Sequence, residues 1–394
     1  MLGERHLIVL LTALQFIHTL DFVLMMPLGP AIMADLGMST GQFAVLVSCY
    51  TFASGAVGVV GAFRLDRAAR RPVLLWSAAG FTLGTLAMGL APGHVGMLLA
   101  RVLAGACGGL MSSLVMILAS EAVPYERRGQ AMGTIMTSFS LASVLGIPLG
   151  VALAAWGSWH TPFIVLAGVA ALVTGWVAVV LPRFDGHLGQ PHQSPVAVVR
   201  MLFTDPGHRR VLILTAVLQV AGFTVIPFIS PFLVGNRGFT ATDLGTFYAI
   251  GGVATVITAP LIGRLADRWG KHVVFTVVSV LSLVPILLLT HLPPWPVAVC
   301  FLVTTAFMIL VSGRMVPVQA LITASVDPAR RGAIMSFVAA TQAGAIGGSS
   351  LLAGHLVSRT AEGRIEGFGT VGLVAAGATL LSLILVVRVR PLAR

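Results

Sequence analysis

The 394-residue chain is short of charge. Asp, Glu, Lys and Arg make up 9% of it, and Lys271 is its one lysine. A soluble protein carries about 25% charged residues. With 57% hydrophobic residues and a mean hydropathy of +0.97, this chain could not cover a water-facing surface with polar groups. A set of soluble domains is therefore excluded. Cysteine is scarce too. Cys49, Cys107 and Cys300 lie far apart in apolar runs without C-x-x-C spacing, which argues against a disulfide framework or a metal site. No G-x-x-x-x-G-K-[ST] stretch is present, since His272 follows Lys271, so ATP does not act through a P-loop. No Asp-Asp-rich motif or other catalytic constellation points to a membrane enzyme. The formal charge of +11 is almost all arginine in short loops between apolar runs. That placement reads as membrane topology and not as a nucleic-acid surface.

What is there is a row of long apolar runs. They fall at about 6–33, 43–63, 72–91, 95–119, 130–156, 161–182, 209–234, 241–262, 272–291, 294–318, 331–355 and 368–388. They are continuously apolar, without the period-two alternation of a β-barrel strand. Backbone satisfaction in lipid then requires helices. The expected fold is an all-α membrane protein of twelve transmembrane helices in two six-helix bundles. No small-residue cleavage site follows the first run, so that helix is expected to be retained. If the N-terminus is cytoplasmic, nineteen of the twenty-four basic residues fall on the cytoplasmic side. Arg237, Arg359 and Arg364 fall opposite, and Arg101 and Arg314 lie inside spans. The positive-inside rule then puts both termini in the cytoplasm of a multi-pass inner-membrane protein. The polar, Pro/Gly-bearing stretch 183–208 reads as a linker between bundles 1–182 and 209–394.

Two loop motifs recur. Phe63-Arg64-Leu65-Asp66-Arg67-Ala68-Ala69-Arg70-Arg71 is echoed by Gly263-Arg264-Leu265-Ala266-Asp267-Arg268-Trp269-Gly270-Lys271. The Arg-Arg-Gly at 127–129 is echoed at 330–332. Unrelated motifs recurring at nearly one offset argue for duplication of a six-helix unit, a transporter architecture. The chain resembles the major facilitator superfamily over its whole length. The second loop is similar to that family's D-R-x-G-[RK]-[RK] signature, while the first has Ala62 and Ala69 where the family prefers glycine. Leu98-Leu99-Ala100-Arg101-Val102-Leu103-Ala104-Gly105 resembles the L-x-x-R-x-x-x-G of the drug:proton antiporter branch. Gly146-Ile147-Pro148-Leu149-Gly150 resembles its helix 5 Gly/Pro motif, in a form closer to sugar and nucleoside exporters.

The residues themselves narrow the chemistry. Asp21 is the one acid predicted well inside a span, where a charge is costly and therefore usually functional. Proton coupling or recognition of a cationic cargo is the functional reading; a fixed ion pair is the structural one. His18 and Gln15 precede Asp21 at three-residue spacing, on one drifting helix face, and His18 could share the proton. Pro27 and Pro30 are expected to bend or break the end of this helix. Arg101 needs a partner, and Asp21 is the embedded carboxylate available, so the two are expected to communicate directly or through water. The resemblance gives Arg101 a role in proton coupling as well. Arg314, beside Pro317, either contacts an anionic or polyhydroxy cargo or is structural.

The resemblance implies that helices 1, 4, 7 and 10 line a cavity. Gln15, Phe22, Met25, Gln219, Phe228 and Gln319 are candidates to meet the cargo, with Tyr50, Arg314 and Gln342. Each could equally be core packing. The resemblance makes Asp66, Arg67, Arg70, Arg127, Arg128, Asp267, Arg268 and Arg330 gate elements, with Asp327-Pro328 starting helix 11. Small-residue pairs such as Gly80/Gly84, Gly105/Gly109 and Gly146/Gly150 allow close packing. A bendable Gly146-Pro148-Gly150 could control leakage. The expected activity is export of a small organic molecule by a monomer in exchange for protons, with no cofactor or metal. A proton-coupled importer and a transport-inactive sensor are the alternatives.

Overall fold

In a computed structural model, the described residues are 4–64, 68–124, 127–182, 204–326 and 331–389, with 62–64 and 331–333 described by backbone alone. They form α1 (Glu4–Asp35), α2 (Thr40–Arg64), α3 (Arg70–Gly89), α4 (His94–Ala122), α5 (Arg128–Trp156) and α6 (His160–Val180). After residues 183–203, which lie outside the description, come α7 (Pro206–Arg237), α8 (Ala241–Trp269), α9 (Lys271–Thr290), α10 (Val297–Ala324), α11 (Arg331–Leu356) and α12 (Phe368–Val386). Asp205 caps α7 by accepting from the Gly207 N–H at 2.7 Å, so the end of the expected linker belongs to this helix. Eleven of the twelve are long and apolar enough to cross a membrane. The exception, α11, carries Thr341, Gln342, Ser349 and Ser350 among its small residues and packs on α2 instead of facing outward along its length.

The chain is thus an all-α membrane protein. Large apolar side chains such as Trp76, Leu172, Val179 and Leu302 are exposed, as a lipid-facing surface requires. The six tryptophans lie near helix ends, five of them exposed and Trp159 buried with its Nε1 donating to Asp35 Oδ2. Trp76, Trp176 and Trp269 are on the side of the termini, and Trp156, Trp159 and Trp295 are on the far side. Interfacial belts of this kind anchor a bundle in the headgroup layer. Five of the six helices in the second half start 201 to 203 residues after their counterparts in the first. The sixth, α12, starts later because a small hairpin, β1 (Ser358–Arg359) with β2 (Ile365–Glu366), precedes it. Asn236 at the end of α7 holds that hairpin through two hydrogen bonds with the Ile365 backbone.

Small residues set the packing. A Cβ at Gly105 would run into the Tyr50 backbone, one at Gly84 into the Ala104 backbone, and one at Gly109 into Ser54. Helices α2, α3 and α4 therefore meet at backbone distance. Gly146 and Gly150 let α5 seat on Leu20 and Leu24 of α1. Of the expected bend or break at Pro27 and Pro30, the break does not occur: α1 is helical from Glu4 to Asp35. Buried Met26, Leu28, Ile32 and Met33 hold this stretch in place against the loss of helix hydrogen bonds. The irregularities fall in α5, α7 and α10. Ala142–Gly146 is π-helical just before Pro148, and the Ile147 N–H bonds Ala142 O. Ile226–Phe228 is a 3-10 turn around Pro227, and α10 is interrupted at Arg314, three residues before Pro317. Each proline lacks the N–H that would bond the carbonyl four residues back.

Contact between the halves concentrates on the far side. Thr40 Oγ1 donates to Val357 O at 2.6 Å and Ser48 Oγ to Gly347 O at 2.8 Å, tying α2 to α11. Gly252 of α8 abuts the Ser143 backbone of α5, and α1 packs on the outer part of α7. The first turns of α5 lie mostly exposed, as does the last stretch of α8. Among the described residues, these contacts join the halves from the middle of the molecule to the far side.

Candidate functional site

The first half buries a charge pair. Asp21 of α1 and Arg101 of α4 have no exposed surface, and Arg101 Nη1 lies 3.3 Å from Asp21 Oδ2. Thr85 of α3 donates to Asp21 Oδ1 at 3.0 Å. Arg101 Nε donates to Leu46 O at 3.3 Å, and the guanidinium carbon sits 4.1 Å from the centre of the Tyr50 ring. Four helices thus converge on one carboxylate and its cation. The expected communication between Asp21 and Arg101 is a direct contact. Thr85 was not foreseen. A threonine in an apolar helix is unremarkable in sequence, and its spatial position is what matters.

His18 does not share a hydrogen bond with Asp21. It turns the other way, between Tyr50, Phe81 and Gly108. Both of its ring nitrogens and the Tyr50 hydroxyl lack partners among the described residues. Gln15, one turn back, accepts from Ser112 Oγ at 3.0 Å. Tyr50 stacks on Phe22 with ring centres 5.6 Å apart, and Phe22 meets Phe223 across the halves at 6.1 Å. One aromatic layer therefore separates the pair from the centre of the molecule.

That centre holds a cavity of about 120 Å³. Phe22 and Met26 of α1, Phe139 and Ser143 of α5, Phe223 and Ile226 of α7, Phe247 and Thr255 of α8, and Phe307, Met308 and Ser312 of α10 line it. The wall departs from the expected set of helices 1, 4, 7 and 10, because α5 and α8 replace α4. Met25 and Phe228 are fully buried in packing and are not part of this wall; Phe228 meets Phe43 of α2. Gln219 is buried with Oε1 unpartnered among the described residues, Gln342 is half-buried and Gln319 is exposed. A larger depression of about 820 Å³ lies on the far side, between Pro30, Asp35, Trp159, His160, Phe239 and Arg359.

The second half has its own buried cation. Arg314 has no exposed surface and sits at the break in α10. Its Nη1 donates to Thr379 Oγ1 at 2.9 Å and reaches Ser282 Oγ at 3.5 Å. No carboxylate pairs with it among the described residues.

Of the expected gate residues, Asp66, Arg67 and Arg330 lie outside the described residues, as does the Asp327-Pro328 helix start. Arg70 is buried and pairs with Glu121 at 2.9 Å. Arg127 pairs with Glu4 at 2.8 Å, and Arg128 Nε donates to Val123 O at 3.1 Å. Asp267 and Arg268 are exposed at the end of α8. Sequence reading passed over Glu4 and Glu121 as helix-end acids, although each stands opposite a motif arginine.

The model of the Major Facilitator Superfamily matches residues 11–349, and again 211–394, from close to where the second bundle starts. The chain belongs to the major facilitator superfamily. It is a membrane transporter of that type, and members of this superfamily are not enzymes. A Bacillus subtilis relative, the uncharacterized MFS-type transporter YceJ, is 27% identical over 360 residues, 90% of each chain. Among solved structures, a D-xylose-proton symporter matches with a TM-score of 0.79 at 16% identity, over 96% of this chain and 97% of its own. The nucleoside transporter NupG matches at 0.78 and 13% identity, over 98% of this chain and 100% of its own. At such identities the structures speak for the fold alone.

Proposed function

We propose that the protein is a proton-driven exporter of a small organic molecule, of the drug:proton antiporter type, working as a monomer by alternating access. In this reading bundles 1–182 and 209–394 rock about the central cavity in the inner membrane. Both termini and the 183–208 linker are cytoplasmic, as the basic-residue asymmetry supports. The observation that carries the reading is the buried Asp21–Arg101 pair, one aromatic layer from the cavity. A proton on Asp21 removes the negative partner of Arg101, which keeps Leu46 O and the Tyr50 ring. The guanidinium must then find another acceptor, and the cavity lies beyond Tyr50 and Phe22, with Ser143, Thr255 and Ser312 among its lining. Making and breaking this pair is the two-state element that proton and cargo both bias. The pair is fully buried in the present conformation, so the mechanism requires the Tyr50–Phe22 layer to part in the opposite one. Arg70–Glu121 and Arg127–Glu4 serve as the first bundle's side of the gate at the termini.

The test uses wild type and Asp21→Asn in vesicles loaded with a pH dye. Uphill export by wild type is accompanied by proton movement in the opposite sense, and Asp21→Asn loses both while remaining folded. Undiminished uphill export by Asp21→Asn removes the carrier assignment. Proton movement in the same sense as cargo indicates an importer, and binding without flux indicates a sensor.

A further inference from the structure

Arg314 is half satisfied in a way that has direction. A guanidinium offers five N–H groups. The Nη1 side is taken by Thr379 and Ser282. Nε and Nη2 are buried and have no acceptor among the described residues. These two form the side-on edge of the arginine, the parallel fork that matches a carboxylate or a similar oxyanion.

The free edge lies beside a methyl-sized notch at Gly222 of α7. A Cβ built on Gly222 of α7 would find Ile226 and Val311 at 3.7 Å and Arg314 Nη2 at 4.0 Å, with nothing closer. Ile226 and Val311 both line the central cavity. The Gly222 position thus touches both the cavity wall, at Ile226 and Val311, and the guanidinium, at Nη2. Gln219 lies three residues before Gly222, on a neighbouring face of the same helix, with Oε1 unpartnered. Ser279 Oγ of α9 is likewise buried without a partner. Every described acid of the second half lies near a helix end or in a loop: Asp205, Asp243, Asp267, Glu362 and Glu366. Among the described residues the bundle therefore buries one net positive charge, which is costly unless something neutralises it.

We infer that the Nε/Nη2 edge of Arg314, approached past Gly222 from the cavity side, is the anion-binding part of the cargo site. The cargo class is a small organic anion with an apolar body. Its oxyanion docks on Arg314, and its body lies among Phe22, Phe223, Phe247 and Phe307. The inference rests on the transporter reading above but concerns binding at equilibrium, without a proton gradient. The paired Asp21–Arg101 site adds no net charge, so the anion preference belongs to the second bundle.

The experiment measures thermal protection of the purified full-length protein by a probe panel. Phenyl, naphthyl and octyl bodies are each presented as carboxylate, alcohol and amine at millimolar concentration, with sodium chloride and sodium sulfate as inorganic arms. At least one carboxylate protects, and its alcohol and amine counterparts do not. Arg314→Gln weakens that binding about thirtyfold or more, the loss expected for a bidentate charge-assisted pair. Gly222→Val fills the notch, keeps the arginine, and weakens binding similarly; this arm decides the matter if Arg314→Gln fails to fold. Carboxylate binding is read on the wild-type protein without a proton gradient, so a failed proton test and a failed anion test give different patterns. Four outcomes overturn the inference: no carboxylate binds, alcohols or amines bind equally well, inorganic anions alone give the same protection, or binding survives Gly222→Val.

Discussion

Arg101 in the first bundle and Arg314 in the second are both fully buried, yet their surroundings differ in kind. Arg101 meets a carboxylate, a carbonyl and an aromatic face. Arg314 meets two hydroxyls and leaves its side-on edge free. A buried pair costs little more than its desolvation once formed, but removing one partner strands the other. A buried lone cation carries its cost in the resting protein. The first bundle is thus built around a charge that can be cancelled from within, and the second around one that asks for cancellation from outside.

The largest expected effect breaks the first side of this contrast. Arg101→Leu leaves Asp21 buried opposite an apolar group and destabilises the folded protein by about 3–5 kcal/mol. Adding Asp21→Asn restores most of that loss. Arg314→Met, by the same logic, costs no stability, because no buried acid is stranded. Thermal unfolding of the three variants and the wild type in one detergent checks the pattern. Equal losses for Arg101→Leu and Arg314→Met would show that the two arginines play the same structural part.

A second, smaller contrast lies in glycines. Gly105→Ala pushes a methyl into the Tyr50 backbone, where α4 and α2 touch. Overpacking against backbone is expected to cost about 1–3 kcal/mol. Gly222→Ala meets its neighbours at ordinary contact distance and should change stability by less than about 0.5 kcal/mol. The same unfolding measurement separates them. Matched losses would mean that the Gly222 notch is not open space.

These contrasts also show what the sequence could carry. Helix number, bounds and the repeat follow from runs of apolar residues and from arginine placement, which are local signals. Asp21 and Arg101 stood out for the same reason: a charge in an apolar run is conspicuous wherever the run folds. Their pairing was legible because few embedded charges were available to choose from. Thr85, Glu121 and the α5 and α8 wall of the cavity were not legible. Thr85 matters through a contact 64 positions away in sequence, and Phe139 and Phe247 look like any lipid-facing aromatic until the bundles are apposed. Whether Pro27 and Pro30 would break α1 was not legible, because a proline signals a lost hydrogen bond, while the packing that holds the helix through it is tertiary. The free edge of Arg314 depends on which of its nitrogens meet hydroxyls, a matter of side-chain direction that residue spacing does not encode.

The smallest expected effect concerns how the far side stays shut, and here two similar hydrogen bonds should differ. Ser48 Oγ lies 2.7 Å from Ala44 O in its own helix and 2.8 Å from Gly347 O across the halves. A hydroxyl has one proton, so when α2 and α11 separate, Ser48 falls back on Ala44 and loses almost nothing. Thr40 sits at the first residue of α2, with no residue of that helix before it. Its bond to Val357 O at 2.6 Å has no such fallback in the helix. Opening the far side must replace it with water. Thr40→Val should therefore favour the far-side-open state by about 1 kcal/mol, roughly fivefold in population, and Ser48→Ala by less than half of that energy. Spin labels on the far ends of α2 and α11, read as distance distributions, measure both shifts. A larger shift for Ser48→Ala than for Thr40→Val would mean that the seal is set near the middle of the α2–α11 contact and not at its far rim.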